Sequence, residues 1–337
     1  SSPTHCSDRR NLYLQLSKSD KASLFSTFKQ EADNSIRIAD QVKQQYFLFD
    51  HKWDMERTYT PYHFKEEIDW NINPFGDIEW AYMLNRHRYW QELGRAYLLT
   101  NDESYASAFV KQASHWITNN AFEKRSELES WRRLEVGIRG EFWIKTFEYF
   151  KHSPNITPEF FGLLLKSLVQ HAEYLASDFS GFAKTSNWGG IEFHGLLNIA
   201  LFLEEFTPAE GWRKQAIEAL QTTLELQVLD DGSHWEQSPM YHNAVLSNYM
   251  NVLLLAQRKN FSLPAIFKSK TKSMLQANIK WQKPNFKQPM FGDSDDTNTQ
   301  DILAFGASLF EDPVMKARAS EHLGYDELFT LGMKRSL

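Results

Sequence analysis

Only one cysteine, Cys6, occurs in the 337 residues, which excludes a disulfide within the chain and any CxxC-type metal or redox centre. Glycine (15) and proline (11) are scarce while Leu, Glu, Lys, Gln and Ala fill long stretches, so helix is favoured and sheet should be rare. The formal charge of −6 excludes a globally basic nucleic-acid binder, although a locally basic groove remains compatible with it. No apolar run reaches transmembrane length, and no membrane partner is expected. The polar start from Ser1 to Asp8 does not read as a signal peptide, which leaves a cytosolic protein or a mature exported one. GxSxG, Walker A, GxGxxG and HExxH patterns are all missing, so the common serine hydrolases, nucleotide enzymes and zincins are set aside. His234-Trp235-Glu236 reads HxE but lacks the PCxxC that a zinc deaminase needs. No metal is expected. The single place for a hard divalent cation is Asp293, Asp295 and Asp296, and such runs more often cap a helix.

What the chain has in excess is aromatic side chains: 11 Trp, 13 Tyr and 25 Phe. Most should fill a large helical core, and those in irregular segments such as 47–80 are candidates to line a groove, where ring faces give sugars an apolar platform. Asn101-Asp102-Glu103 caps a helix running to Trp116, Thr157-Pro158 starts one to Ala176, and Thr207-Pro208-Ala209-Glu210 reads as a capping box. Apolar spacing of three and four predicts further helices near 20–46, 79–99, 135–151, 190–206, 240–258, 263–281 and 299–310. The expected fold is therefore all-α. About ten helices with short connections form stacked antiparallel hairpins in one domain spanning 1–337, with a groove at one end of the ring.

Four stretches rich in Asn, Gly, Trp, His and Asp interrupt the helices: 69–74, 180–190, 230–242 and 291–296. Tyr241 and His242 set a phenol beside an imidazole where a helix begins, and both groups exchange protons. Tyr241 would otherwise be a core residue with its hydroxyl satisfied, and Asn187 a residue tolerated at a left-handed turn. Taken together, Asn187-Trp188-Gly189-Gly190, Pro239-Met240-Tyr241-His242, the run from Trp131 to Arg139, Asp69-Trp70 with Asn73-Pro74, Trp80 to His87, and Phe291-Gly292-Asp293-Ser294 resemble the heparinase II/III type of polysaccharide lyase. The resemblance covers most of the chain. Trp188 stands where related alginate and heparin lyases often carry His, which points to the heparinase III branch.

That resemblance implies an incomplete (α/α) toroid followed by a C-terminal β-sandwich domain, and β-elimination on an acidic, uronate-containing polysaccharide, heparan sulfate first among them. It implies a periplasmic or secreted bacterial protein. It assigns Asn187 to hydrogen-bond the uronate carboxylate and Tyr241 to act as base, acid, or both in turn. A free phenol titrates near about 10, so a base at neutral pH needs a nearby cation, for which Arg133, Arg139 and His242 are candidates. Arg139 could equally sit in a surface ion pair. Trp188, Glu192, His194 and Glu236 are candidate groove residues. One departure stands out: the family's catalytic His comes from the β-sandwich, and no strand-rich segment precedes Leu337, so that domain is expected as a partner of this chain. Three other readings remain open: an alginate or other uronate lyase of the same fold, a glycoside hydrolase using Asp231 and Glu236, and a non-catalytic glycan binder.

Overall fold

The computed structural model describes Leu12, Tyr13 and residues 18–53 and 57–331. The described residues are all-α apart from one pair of two-residue strands, in line with the composition. Two compact units emerge. One comprises residues 15–175, and the other comprises 176 onward together with Leu12 and Tyr13. Among the described residues no helix is long and apolar enough to cross a membrane.

The first unit contains α1 (Lys18–Thr27), α2 (Lys29–Lys43), strands β1 (Tyr46–Phe47) and β2 (Tyr62–His63), α3 (Ile78–Arg86), α4 (Trp90–Thr100), α5 (Glu103–Asn119), α6 (Arg133–Phe150) and α7 (Pro158–Ala176). The strands pair antiparallel, Tyr46 with His63 and Phe47 with Tyr62. Two residues join α4 to α5, and the cap chemistry explains the sharp reversal. Asn101 ends α4 in the left-handed region at φ 58°, and Asp102 accepts from the Ser104 N–H at 2.8 Å. Such a cap contributes roughly 1 kcal/mol. Thr157 likewise accepts from the Phe160 N–H (3.3 Å) at the start of α7.

The predicted helix over 79–99 is two helices, α3 and α4. His87 breaks them, buried and left-handed at φ 58°, a conformation that periodicity cannot announce for a residue other than Gly or Asn. It is held by tertiary contacts: its ring stacks on Trp90 at 3.8 Å, and Nδ1 accepts from Trp143 Nε1 at 2.9 Å. The 20–46 prediction splits similarly at Phe28, between α1 and α2. Trp80, Trp90, Trp116, Trp131 and Trp143 are fully buried here, so these five tryptophans are core.

The second unit contains α8 (Gly181–Thr185), α9 (Asn187–Phe202), α10 (Ala209–Gln227), α11 (Pro239–Lys259), α12 (Ala265–Trp281), α13 (Gln300–Phe310), α14 (Pro313–Lys316) and α15 (Tyr325–Leu331). Consecutive helices α9 and α10, and α11 and α12, pack on each other across short connections, which makes each pair a reversing hairpin. The capping box expected at Thr207 does not form: Pro208 occupies the cap position and no side chain accepts there. Tyr13 joins this unit by donating to Asn198 Oδ1 at 2.5 Å, and Arg258 donates to the Leu12 carbonyl at 2.7 Å.

Candidate active site

Helix α9 begins at Asn187, three residues before the predicted start, because a carboxylate from another segment caps it. The Asn187 main-chain N–H donates to Glu236 Oε1 and its side-chain Nδ2 donates to Oε2, both at 2.9 Å. First-turn amides have no partner inside their own helix, and the helix dipole favours an anion beside them. Glu236 is well suited to this position, with its side chain only 16% exposed. Gly189 follows for a steric reason: a Cβ there would lie 1.9 Å from the Ala183 carbonyl oxygen, so only glycine lets α9 pass α8.

Behind Glu236 lies a buried relay. His234 Nδ1 accepts from the Glu236 main-chain N–H (3.4 Å), and His234 Nε2 donates to Gln227 Oε1 (2.9 Å). Gln227 Nε2 in turn donates to the carbonyls of Lys184 (2.7 Å) and Ser186 (2.9 Å), the residues leading into Asn187. Burial pushes the His234 imidazole down to about 4, so the ring is neutral, and donation from Nε2 to Gln227 leaves Nδ1 able to accept. The loop reaches this position through Gly232, left-handed at φ 89°, where a Cβ would meet the Ser273 carbonyl oxygen at 2.2 Å.

Tyr241 lies in the first turn of α11. Ser238 caps that turn, accepting from the Tyr241 N–H at 3.3 Å, while Pro239 occupies the first helical position. Ser238 Oγ also donates to the Asp293 carbonyl (3.1 Å), and Ser294 Oγ accepts from the Met240 N–H (3.1 Å), so the 291–294 loop is tied to the start of α11. The phenol of Tyr241 donates to Asp293 Oδ2 at 3.0 Å. The result is an amide and a phenol at the starts of two packed helices, α9 and α11, linked through the short segment from Glu236 to Ser238. Exposed aromatic rings stand close by in sequence: Phe182, in edge contact with Trp188 at 5.2 Å, together with Trp235 and Phe291. Trp188 is half-buried.

Two predicted groove residues, Glu192 and His194, and two candidate cations, His242 and Arg139, are instead core. Glu192, His194, His242 and Arg139 are each at most 2% exposed. His194 Nε2 bonds to Asn251 Oδ1 at 2.8 Å. His242 donates through Nε2 to the Met274 carbonyl (3.1 Å), and burial drops it to about 3, so it is a neutral structural imidazole and no cation for Tyr241. Arg139, in the first unit, donates to His171 Nε2 and the Asn85 carbonyl, both at 2.9 Å, and stacks against Trp116. Burial lowers it to about 9. It forms no surface ion pair. Arg133 closes the C-terminal end of α7, donating to the carbonyls of Tyr174 (2.6 Å) and Leu175 (2.8 Å).

The acidic run 293–296 is divided among protein partners: Asp293 serves Tyr241, and Asp296 pairs with Lys283 and with Lys287 at 2.9 Å. Among the described residues no group of three His, Cys, Asp or Glu side chains gathers as metal ligands do. Asp231 is exposed and bonded to Ser233 Oγ (2.6 Å), which holds its carboxyl below the usual range. Gln227 and His234 were not predicted. The HxE spacing was their only trace, since an imidazole two residues from a carboxylate in a loop can support the same strand of backbone.

Comparison with known proteins gives the family of the chain. A heparin-sulfate lyase of Pedobacter heparinus is 31% identical over 248 residues, covering 72% of this chain and 37% of that protein. One from Bacteroides stercoris is 29% identical over 290 residues, covering 79% of this chain and 42% of that protein. Among solved structures, a heparan sulfate lyase from Pedobacter heparinus matches with a TM-score of 0.69 at 25% identity, over 93% of this chain and 52% of that one. The chain thus spans about two fifths of the length of the curated relatives it matches. A family model described as Heparinase II/III N-terminus matches residues 9–312, and the chain belongs to that family.

Proposed function

We propose that this chain is the helical part of a polysaccharide lyase that cleaves heparan sulfate by β-elimination. The observation that carries the reading is the juxtaposition at the second unit: an amide fixed at the first residue of α9, and a phenol in the first turn of α11. Elimination breaks the C5–H and C4–O bonds of a uronate and forms a C4–C5 double bond. The proton leaves from C5 and another is delivered to the departing O4. Asn187 donates to the uronate carboxylate as negative charge spreads onto it, which lowers the barrier where the charge develops. We assign Tyr241, whose proton faces Asp293 Oδ2, as the acid for O4. Acting as the base for C5 requires the phenolate, which the buried His242 and Arg139 do not support, so we assign the base for C5 to a further domain. Heparan sulfate is preferred over alginate or hyaluronan because the curated relatives are named heparin-sulfate lyases. The exposed rings of Phe182, Trp235 and Phe291 supply sugar-stacking surfaces.

The relatives' additional length accommodates a further domain, which we assign as a β-sandwich completing the acid and base set. A polymeric glycan substrate places the enzyme in the periplasm or outside the cell, and the proposed steps require no cofactor. The test is ultraviolet absorbance of unsaturated uronate released from heparan sulfate, hyaluronan and alginate oligosaccharides, by this chain and by any longer form. Absorbance that disappears in Tyr241→Phe supports elimination, and the polymer that responds identifies the substrate. Chain cleavage without ultraviolet absorbance would instead establish a hydrolase.

A further inference from the structure

We propose that Glu236 is the positioning residue of this site. Its carboxylate dictates which edge of the Asn187 amide is offered to substrate, with His234 and Gln227 fixing the backbone on either side. This inference rests on the elimination reading above.

The chemistry of the contact decides the orientation. An ionised carboxylate only accepts hydrogen bonds, so the Asn187 edge facing Glu236 must be Nδ2, and Oδ1 must lie on the other side. Both Glu236 oxygens are used on the same residue, one on its main chain and one on its side chain, at 2.9 Å each. Backbone and side chain of Asn187 are thereby fixed relative to one another. The Asn187 side chain makes no other hydrogen bond among the described residues, which leaves one N–H to donate to an incoming carboxylate.

A second layer fixes the first. Glu236 lies in a loop, and its main-chain N–H is held by buried His234. Gln227 uses its oxygen on His234 and its nitrogen on the carbonyls of Lys184 and Ser186, so a single side chain ties the Glu236 loop to the turn that presents Asn187. Gln227 is 1% exposed and His234 is also 1% exposed, so neither touches substrate.

Glu236→Gln is the sharp probe because it preserves size while replacing one acceptor by an NH₂. That NH₂ cannot accept from Asn187. Either the Asn187 main-chain N–H loses its partner, or the Asn187 amide turns over and presents Oδ1 to the glutamine, exchanging donor for acceptor towards substrate. In whichever form of the protein shows elimination activity, kcat and KM are measured for Glu236→Gln, Asn187→Ala and the double variant, with a thermal melt of each. The expected result is a fall in kcat of about tenfold or more for Glu236→Gln with KM little changed, and no further fall when Asn187 is already Ala. Glu236→Asp, which keeps the acceptor pair at shorter reach, should recover part of the loss and also serves if Glu236→Gln fails to fold. An inactive Asn187→Ala with a fully active Glu236→Gln overturns the positioning role alone, as does a Glu236→Gln loss that adds in full to that of Asn187→Ala. A fully active Asn187→Ala removes the elimination role of Asn187 and the inference with it.

Discussion

Acid should loosen the second unit, because two buried histidines must gain protons when it unfolds. His234 and His242 sit at about 4 and about 3 in the folded chain, each held down first by burial. In the unfolded chain both return to about 6.5. The unfolded state therefore binds more protons below pH 6.5, and stability rises with pH. The contribution is fully present above that value and is lost as pH falls towards the folded values. At pH 5.5 each unfolded imidazole lies one unit below its own pKa while each folded one is still neutral. The cost is then about 1.4 kcal/mol per histidine, roughly 3 kcal/mol for the pair relative to pH 7.5. This magnitude depends on the unfolded value and hardly on how far below 5 the folded ones lie. His87 and His171 of the first unit, also lowered by burial with Arg139 adding to it, push in the same direction. Urea unfolding at pH 7.5 and 5.5 measures the loss, and His234→Gln should reduce the pH slope by up to one proton. Equal stability at the two pH values would refute the neutral, buried assignment of these imidazoles.

Three further outcomes follow from the geometry. Gly189→Ala places a methyl 1.9 Å from the Ala183 carbonyl oxygen, so α9 must shift by about 1 Å; the expected cost is about 1–3 kcal/mol in stability and roughly a hundredfold in kcat, read by melting and by ultraviolet product formation. Arg139→Ala leaves His171 Nε2 and the Asn85 carbonyl without their partner inside the first unit, and should lower stability by about 3 kcal/mol while leaving KM for the polysaccharide near wild type in protein that remains folded. Trp235→Ala removes an exposed ring beside Glu236, so KM should rise by about tenfold with the melting temperature unchanged, as measured by initial rates across polymer concentration.

The sequence by itself determined the helical class and the positions of most helices. Scarce glycine and proline, local caps such as Asp102 and Ser238, and apolar spacing are local properties, and local physics decides them. Asn187 and Tyr241 were singled out by resemblance to a known family, on segments that interrupt the helices. Tertiary structure decided what each polar residue is for. His242 follows Tyr241 directly, yet the helix turns it into the core against Met274, and Arg139, which the sequence left open to a surface ion pair, is enclosed by Trp116 and Trp131. Burial depends on what packs against a helix face, which no window of sequence contains. The same holds for Gln227 and Glu236: the partners through which they hold Asn187 and the turn before it lie 41 to 49 residues away, and a hydrogen bond across such a separation exists only once the helices have packed.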